Sequence, residues 1–205
     1  MKKDFIDFLA ERKSIRKFDT SHCISKHEIE EILSLAAKAP SGNNTQPWKV
    51  VTVMNKEVQK QLVPLSFNQS QIEDAAAIFI VFGDPLEYDV EHLADYKARN
   101  EHLSPEEIEK FKEKMTKFYE MSPIEKGPEA LKLDCGLFSM NLLSAIRAYG
   151  YDGAPMRGVN FAGIKQLLSI PDDWLPILII PFGKANEQGR PKVRKPVAEF
   201  TRFII

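Results

Sequence analysis

The pattern of apolar and polar positions divides the chain into recognisable elements. Phe5, Ile6, Phe8 and Leu9 fit one helix face ending near Glu11, after which "RKSIRKFD" breaks the periodicity. Ser25 followed by Glu28 is a capping box opening the helix "HEIEEILSLAAKA", with Ile29, Ile32, Leu33, Leu35 and Ala36 at helical spacing. "WKVVTVM" predicts a β-branched strand, "KEVQKQLVPL" a helix closed by Pro64, and "AAAIFIVFG" a strand buried on both faces because it lacks alternation. From Asp84 to about Pro128 charged helix formers dominate, and Ser104, Pro105 and Glu107 mark a capped helix start in "SPEEIEKFKEKMTKFYEM".

"EALKLDCGLFSMNLLSAIRAYG" is apolar nearly all the way round. Such a helix is buried on most sides, either at the centre of the domain or in a dimer interface, and Gly150 stops it. "NFAGIKQLLSI" then predicts a helix and "LPILIIPFG" a strand, and the chain closes with a basic segment and an apolar, strand-like end. Strands and helices do not alternate regularly enough for a doubly wound sheet. An α+β fold, a central mostly antiparallel sheet flanked by helices, fits the order better.

Composition narrows the function. The 205 residues, 43% hydrophobic and 28% charged, suit a single domain over residues 1–205 with a helical excursion at about 84–128, laid as a flap over the core. A net charge of −1 provides no long-range field for nucleic acid or an anionic membrane, so no partner of either kind is expected. Cys23 and Cys135 are the only cysteines, and His22, His27, His92 and His102 show no ligand spacing, which argues against structural zinc and for a reduced compartment. The N-terminal "MKKDFIDFLAERKSIRKF" alternates charge with apolar residues, unlike a signal peptide, and no apolar run reaches membrane-spanning length; a cytoplasmic location is expected.

Candidate chemistry starts from an exclusion. No G-x-G occurs, so neither the dinucleotide fingerprint nor a P-loop is present, and no G-x-S-x-G appears. A nucleotide or phosphate would have to be held by side chains. "RKSIRKF" sets Arg12, Ser14 and Arg16 at alternate positions, and "RPKVRKP" does the same with Lys192 and Arg194. Arginine forks with a serine hydroxyl suit a terminal phosphate; short basic motifs are equally at home on a solvated surface, with Ser14 as a helix-end cap. "APSGNNTQPW" carries more amides and hydroxyls than a helix-to-strand turn requires, and "SFNQSQIEDA" adds Asn68 and Gln71 before a strand. Amides and backbone N–H groups at short spacing suit the edge of a flat heteroaromatic ring, though both segments also read as ordinary loops.

Taken in order, these segments resemble the nitroreductase family of FMN-dependent oxidoreductases, from Arg12 to "PKVR" near the end. The resemblance implies that Arg12, Lys13, Ser14 and Arg16 hold the flavin phosphate and pyrimidine edge, with Lys192 and Arg194 as further phosphate ligands. It sets Pro40, Ser41 and Gly42 against the flavin bound mainly by a partner subunit, with Asn44 and Gln46 shaping the site. Asn68 would contact the ring edge, and Gln71 stands where a lysine is common. Pro155, Met156, Arg157 and Gly158 match the P-x-x-G segment whose backbone N–H groups approach flavin N5, with Arg157 where many relatives have glutamate. It further implies an intertwined homodimer, FMN at its interface, and ping-pong transfer of hydride from NAD(P)H through flavin N5 to nitroaromatics, quinones or enones. No catalytic side chain is then required, and no metal. Two other readings keep the flavin: a reductive dehalogenase or flavin-degrading enzyme with the excursion as its lid, and a flavin-binding module without turnover.

Overall fold

The strand Ala77–Gly83 is buried at every residue, and the rest of the fold is arranged to cover its two faces. In the computed structural model, which describes residues 2–205, the chain opens with α1 (Lys2–Glu11), an extended segment, and α2 (Lys26–Ala36). Next come β1 (Trp48–Val53), α3 (Lys56–Leu65), the single-turn α4 (Gln71–Asp74) and β2 (Ala77–Gly83). α5 (Val90–Asn100) and α6 (Pro105–Met121) lead to α7 (Pro128–Ala148), followed by β3 (Asp152–Gly153), α8 (Phe161–Leu168) and β4 (Leu175–Gly183).

The strands form one sheet in the order β1-β2-β4-β3, antiparallel at each pairing, so the fold is α+β. Side chains alternate across a strand, and here each face has a cover. Phe79 and Val81 of β2 meet Ile29 and Ile32 of α2 and Phe138, Leu142 and Ile146 of α7. Ile78, Ile80 and Phe82 face the other way, toward Leu62 of α3, Ile72 of α4 and Ile164 of α8. That two-sided burial is why β2 reads as an unbroken apolar run.

α7 lies so close to the sheet that a Cβ on Gly83 would sit 2.0 Å from Leu131 Cδ2. Gly150, at φ +73°, ends the helix as expected, and the Tyr151 N–H returns to the Ile146 carbonyl at 3.1 Å. Both capping boxes form, at Ser25/Glu28 and Ser104/Glu107. In the excursion, Tyr88, Leu93, Met115 and Tyr119 make an apolar cluster with Leu131 and Cys135 at the start of α7.

Three local expectations change. Pro64 does not close its helix: α3 continues to Leu65, because a proline in the last turn forfeits one bond without disturbing the turns before it. Asn68 and Gln71 do not lead straight into a strand, since α4 intervenes, and Gln71 is buried on it rather than free in a loop. The C-terminal "VAEFTRFII" forms no strand; it contains one 3-10 turn, Val197–Glu199, and residues 191–205 are exposed. No sheet edge among the described residues takes the tail up, so its β-forming side chains have nothing to pair with.

Candidate functional site

The basic residues at the two ends of the sequence meet because the segments bearing them run side by side. The Asp19 N–H bonds to the Lys184 carbonyl and the Asn186 N–H to the Lys17 carbonyl, each at 2.9 Å. Gly189, at φ +68°, holds left-handed backbone that favours glycine, and a Cβ there would press on the ends of neighbouring side chains, 2.8 Å from Ile15 Cδ1 and 3.3 Å from Lys13 Cδ. The Lys13 ammonium donates to the Gln188 carbonyl at 3.3 Å, and Lys192 donates to the Ala10 carbonyl. Desolvation and the like charges of Arg12, Arg194, Lys13 and Arg147 hold the Lys192 pKa below the usual lysine value. Arg147 is already engaged by Glu11 at 3.0 Å and Asp152 at 3.3 Å. Arg12 is half-buried, and its Nη1 is buried with no hydrogen-bond partner among the described residues. Ser14 is half-buried beside it in sequence, and Arg16 is exposed.

A second group adjoins the first. The Ile15 N–H reaches the Gly153 carbonyl at 3.4 Å, setting residues 12–16 alongside the strand that leads into Pro155. Met156 pairs with Ile179, and its sulfur accepts from Gln71 Nε2 at 3.5 Å. The amide of Gln71 therefore reaches the P-x-x-G segment. Asn68 is exposed at φ +57°, its N–H tied to the Val63 carbonyl at 3.0 Å. No hydrogen bond among the described residues takes up the backbone N–H of Arg157 or Gly158, and a Cβ on Gly158 would meet nothing within 4 Å. Both residues are exposed, and neither donor is committed within the described residues.

The amide loop forms a third group. Asn43, Asn44 and Gln46 all have positive φ, at 51°, 58° and 50°. Ser41 Oγ accepts from the Gln46 N–H at 2.9 Å, and buried Asp134 of α7 accepts from the Gly42 N–H at 3.0 Å. Asp134 also accepts from the Tyr88 hydroxyl at 2.7 Å, and burial together with that carboxylate pushes the Tyr88 pKa upward. Pro40, Ser41 and Gly42 line a hollow of about 420 Å³ with Leu133, Asp134 and Leu137 of α7. The loop thus packs on α7: the first two groups meet, and no hydrogen bond or ion pair among the described residues joins the third to them.

The sequence profile of the nitroreductase family matches residues 9–184. The chain belongs to the nitroreductase family. A putative NAD(P)H nitroreductase of Bacillus subtilis, YdgI, is 33% identical over 95% of this chain and 94% of its own length. A nitroreductase-like protein from Streptococcus mutans has the same fold at TM-score 0.96, with 41% identity and full coverage of both chains. A putative nitroreductase from Exiguobacterium sibiricum, solved in complex with FMN, follows at TM-score 0.87 and 34% identity, covering 98% of this chain and 97% of its own.

In this nitroreductase the residues that fasten the amide loop escaped the sequence reading. Asp134 is the one acidic residue in the stretch "ALKLDCGLFSMNLLSAI", and that isolation was a readable signal for a buried polar anchor. Tyr88 gave none, being one aromatic residue in a charged stretch. Asn141, which donates to the Leu35 and Ala36 carbonyls at 3.3 and 2.9 Å, ties α7 to the end of α2 and was equally silent.

Proposed function

We propose that this nitroreductase is an FMN-dependent NAD(P)H oxidoreductase whose two flavin sites are each built from two copies of the chain. The observation that carries this reading is Arg12 Nη1, a buried cationic donor without a hydrogen-bond partner among the described residues, amid Lys13, Lys192 and Arg194, with Asp152, already bonded to Arg147, as an acid in its field. Like charges converge at a cost unless an anion accompanies them, and a phosphate monoester brings a charge of about −1.5 to −2. Arg12, Lys13, Ser14, Arg16, Lys192 and Arg194 would hold that phosphate and the pyrimidine edge. Asn68 and Gln71 would border the ring, and the uncommitted N–H groups of Arg157 and Gly158, between Pro155–Met156 and α8, would meet its reactive edge. Positive charge from Arg12 and Lys192 favours negative charge on that side of the ring. Bound FMN supplies the redox chemistry, moving a hydride from NAD(P)H to an electron-poor acceptor such as a nitroaromatic, quinone or enone in ping-pong turnover.

The remaining wall, Pro40, Ser41, Gly42, Asn44 and Gln46, would come from the partner copy. In support, the chain exposes Leu133, Leu137 and Met140 along one face of α7, Phe5, Ile6 and Leu9 on α1, and Phe200, Phe203, Ile204 and Ile205 in the tail. A stripe at i, i+4, i+7 left bare on a helix whose opposite face is buried suits an interface. The same proposal includes one domain spanning residues 1–205 and a cytoplasmic location; Cys23 is exposed, Cys135 buried, and both are free. The test is flavin titration of Arg12→Ala. Loss of one charged hydrogen-bonding group, roughly 1.5–3 kcal/mol, should weaken FMN binding about 10- to 100-fold. Unchanged affinity contradicts the assignment.

A further inference from the structure

A second hollow, of about 390 Å³, opens between α7, β4 and the turn after Met156, lined by Lys132, Gly136, Arg157, Phe161, Ile177 and Leu178. We propose that it binds an oxyanion on the acceptor or the hydride donor, with Lys132 and Arg157 as its cationic walls and the apolar residues as its floor. This rests on the reading above, because Arg157 carries one of the free N–H groups assigned to the ring's reactive edge.

Three observations converge. First, neither side chain has an ion pair or hydrogen bond among the described residues. Several lysines in this chain are answered by acids, Lys49 by Asp84 and Glu87, Lys97 by Glu101 and Lys112 by Glu91. Lys132 and Arg157 are exposed, and what sets them apart from other exposed cations is the apolar hollow they share. No aspartate or glutamate lines this hollow. Second, the floor is apolar but solvent-accessible: Phe161, Ile177 and Leu178 are only partly buried where they pack on the core. Third, Gly136 lies one helical turn after Lys132, on the same face, and a Cβ there would meet nothing within 4 Å. The glycine leaves room beneath the ammonium.

A planar guanidinium and an ammonium over an apolar floor recognise a carboxylate or phosphate on a flat or aliphatic body. The volume, near the lower end for ligand pockets, admits a single-ring acid or the end of a nucleotide, not a whole dinucleotide. Two sources share this chemistry, a carboxylated acceptor and the 2′-phosphate of NADPH.

Calorimetric titration of the purified protein with matched pairs tests this without turnover. Benzoate should bind about tenfold more tightly than benzamide at low salt, a preference of the size one charged contact produces. Lys132→Ala and Arg157→Ala should each bring the pair close to equality, and Gly136→Leu, which fills the hollow from a helical position that tolerates leucine, should weaken both ligands. A preference for 2′-AMP over adenosine that exceeds that for benzoate over benzamide, and is lost in the same variants, supports the site with the nicotinamide phosphate as its source. Equal affinities within both pairs, or a charge preference that survives both alanine substitutions, overturns the proposal. Flavin content measured on the same samples separates the two readings: FMN-loaded protein indifferent to charge overturns only the anion site. Charge-selective protein that takes up no FMN overturns the flavin assignment.

Discussion

At the residue scale, the excess of amides in "APSGNNTQPW" has a conformational cause beside its chemical one. Three residues there hold left-handed backbone, and asparagine tolerates that region better than most side chains. Such a loop persists only when its surroundings over-determine it, and Asp134 with Ser41 provides the hold. Asp134→Ala strands the Gly42 N–H and the Tyr88 hydroxyl together; it should cost about 2–4 kcal/mol in urea unfolding, against about 1–2 for Tyr88→Phe. Equal costs would mean that the carboxylate is not the shared anchor. A separate contact reports through pH. Burial and the Glu28 carboxylate, at 2.9 Å, push the Tyr151 pKa up to about 12. A raised pKa stabilises the protonated form, so this contribution is complete below tyrosine's usual value of about 10 and is lost as pH rises from there through about 12. Tyr151→Phe should be less stable at neutral pH and show a shallower alkaline decline; an unchanged decline contradicts the assignment. The basic motifs were legible because arginine at alternate positions is distinctive. Of the anchors, Asp134 left a signal as the lone acid of an apolar helix, whereas a single tyrosine such as Tyr88 acquires its meaning only from what folding sets opposite it.

At the element scale, periodicity and capping carried most of the reading. The helices at 26–36, 105–121 and 128–148 and the strands at 48–53, 77–83 and 175–183 follow from spacing, caps and β-branched runs. What escaped was short or context-dependent: the single turn Gln71–Asp74 and the two-residue strand Asp152–Gly153 are too brief to show a period. The strand expected at the C-terminus has the right composition and no edge to join. Packing between elements is sharpest at Gly83, where α7 presses Leu131 and Cys135 onto β2. Gly83→Ala should therefore destabilise by about 1–3 kcal/mol through overpacking, although alanine suits a strand no worse than glycine. Leu131→Ala in the same chain should recover part of that loss, because it removes the clashing side chain; additive losses contradict the packing argument.

At the scale of the whole molecule, the family and the α+β class were legible, whereas the strand order β1-β2-β4-β3 was not, since pairing partners far apart in sequence leave no local signature. Nor could the sequence reveal that the candidate residues separate into one joined cluster and a loop with no hydrogen bond or ion pair to it among the described residues. That separation gives the proposed site its form: a phosphate-holding half rich in positive charge, and an amide wall on an α7 face whose apolar stripe is bare. The exposed tail fits the same picture, since Phe200, Phe203 and Ile204 find no cover among the described residues. Burial of these side chains against a second copy would stabilise association at about 25 cal/mol per Å² of apolar surface, before ordering costs.

Sedimentation of the FMN-saturated protein, followed at both the protein and the flavin absorbance, tests the central claim most directly. A yellow species of twice the 23.3 kDa chain mass, carrying one flavin per chain, is the predicted result. A colourless species of 23.3 kDa, with all the flavin left in the supernatant, would contradict it.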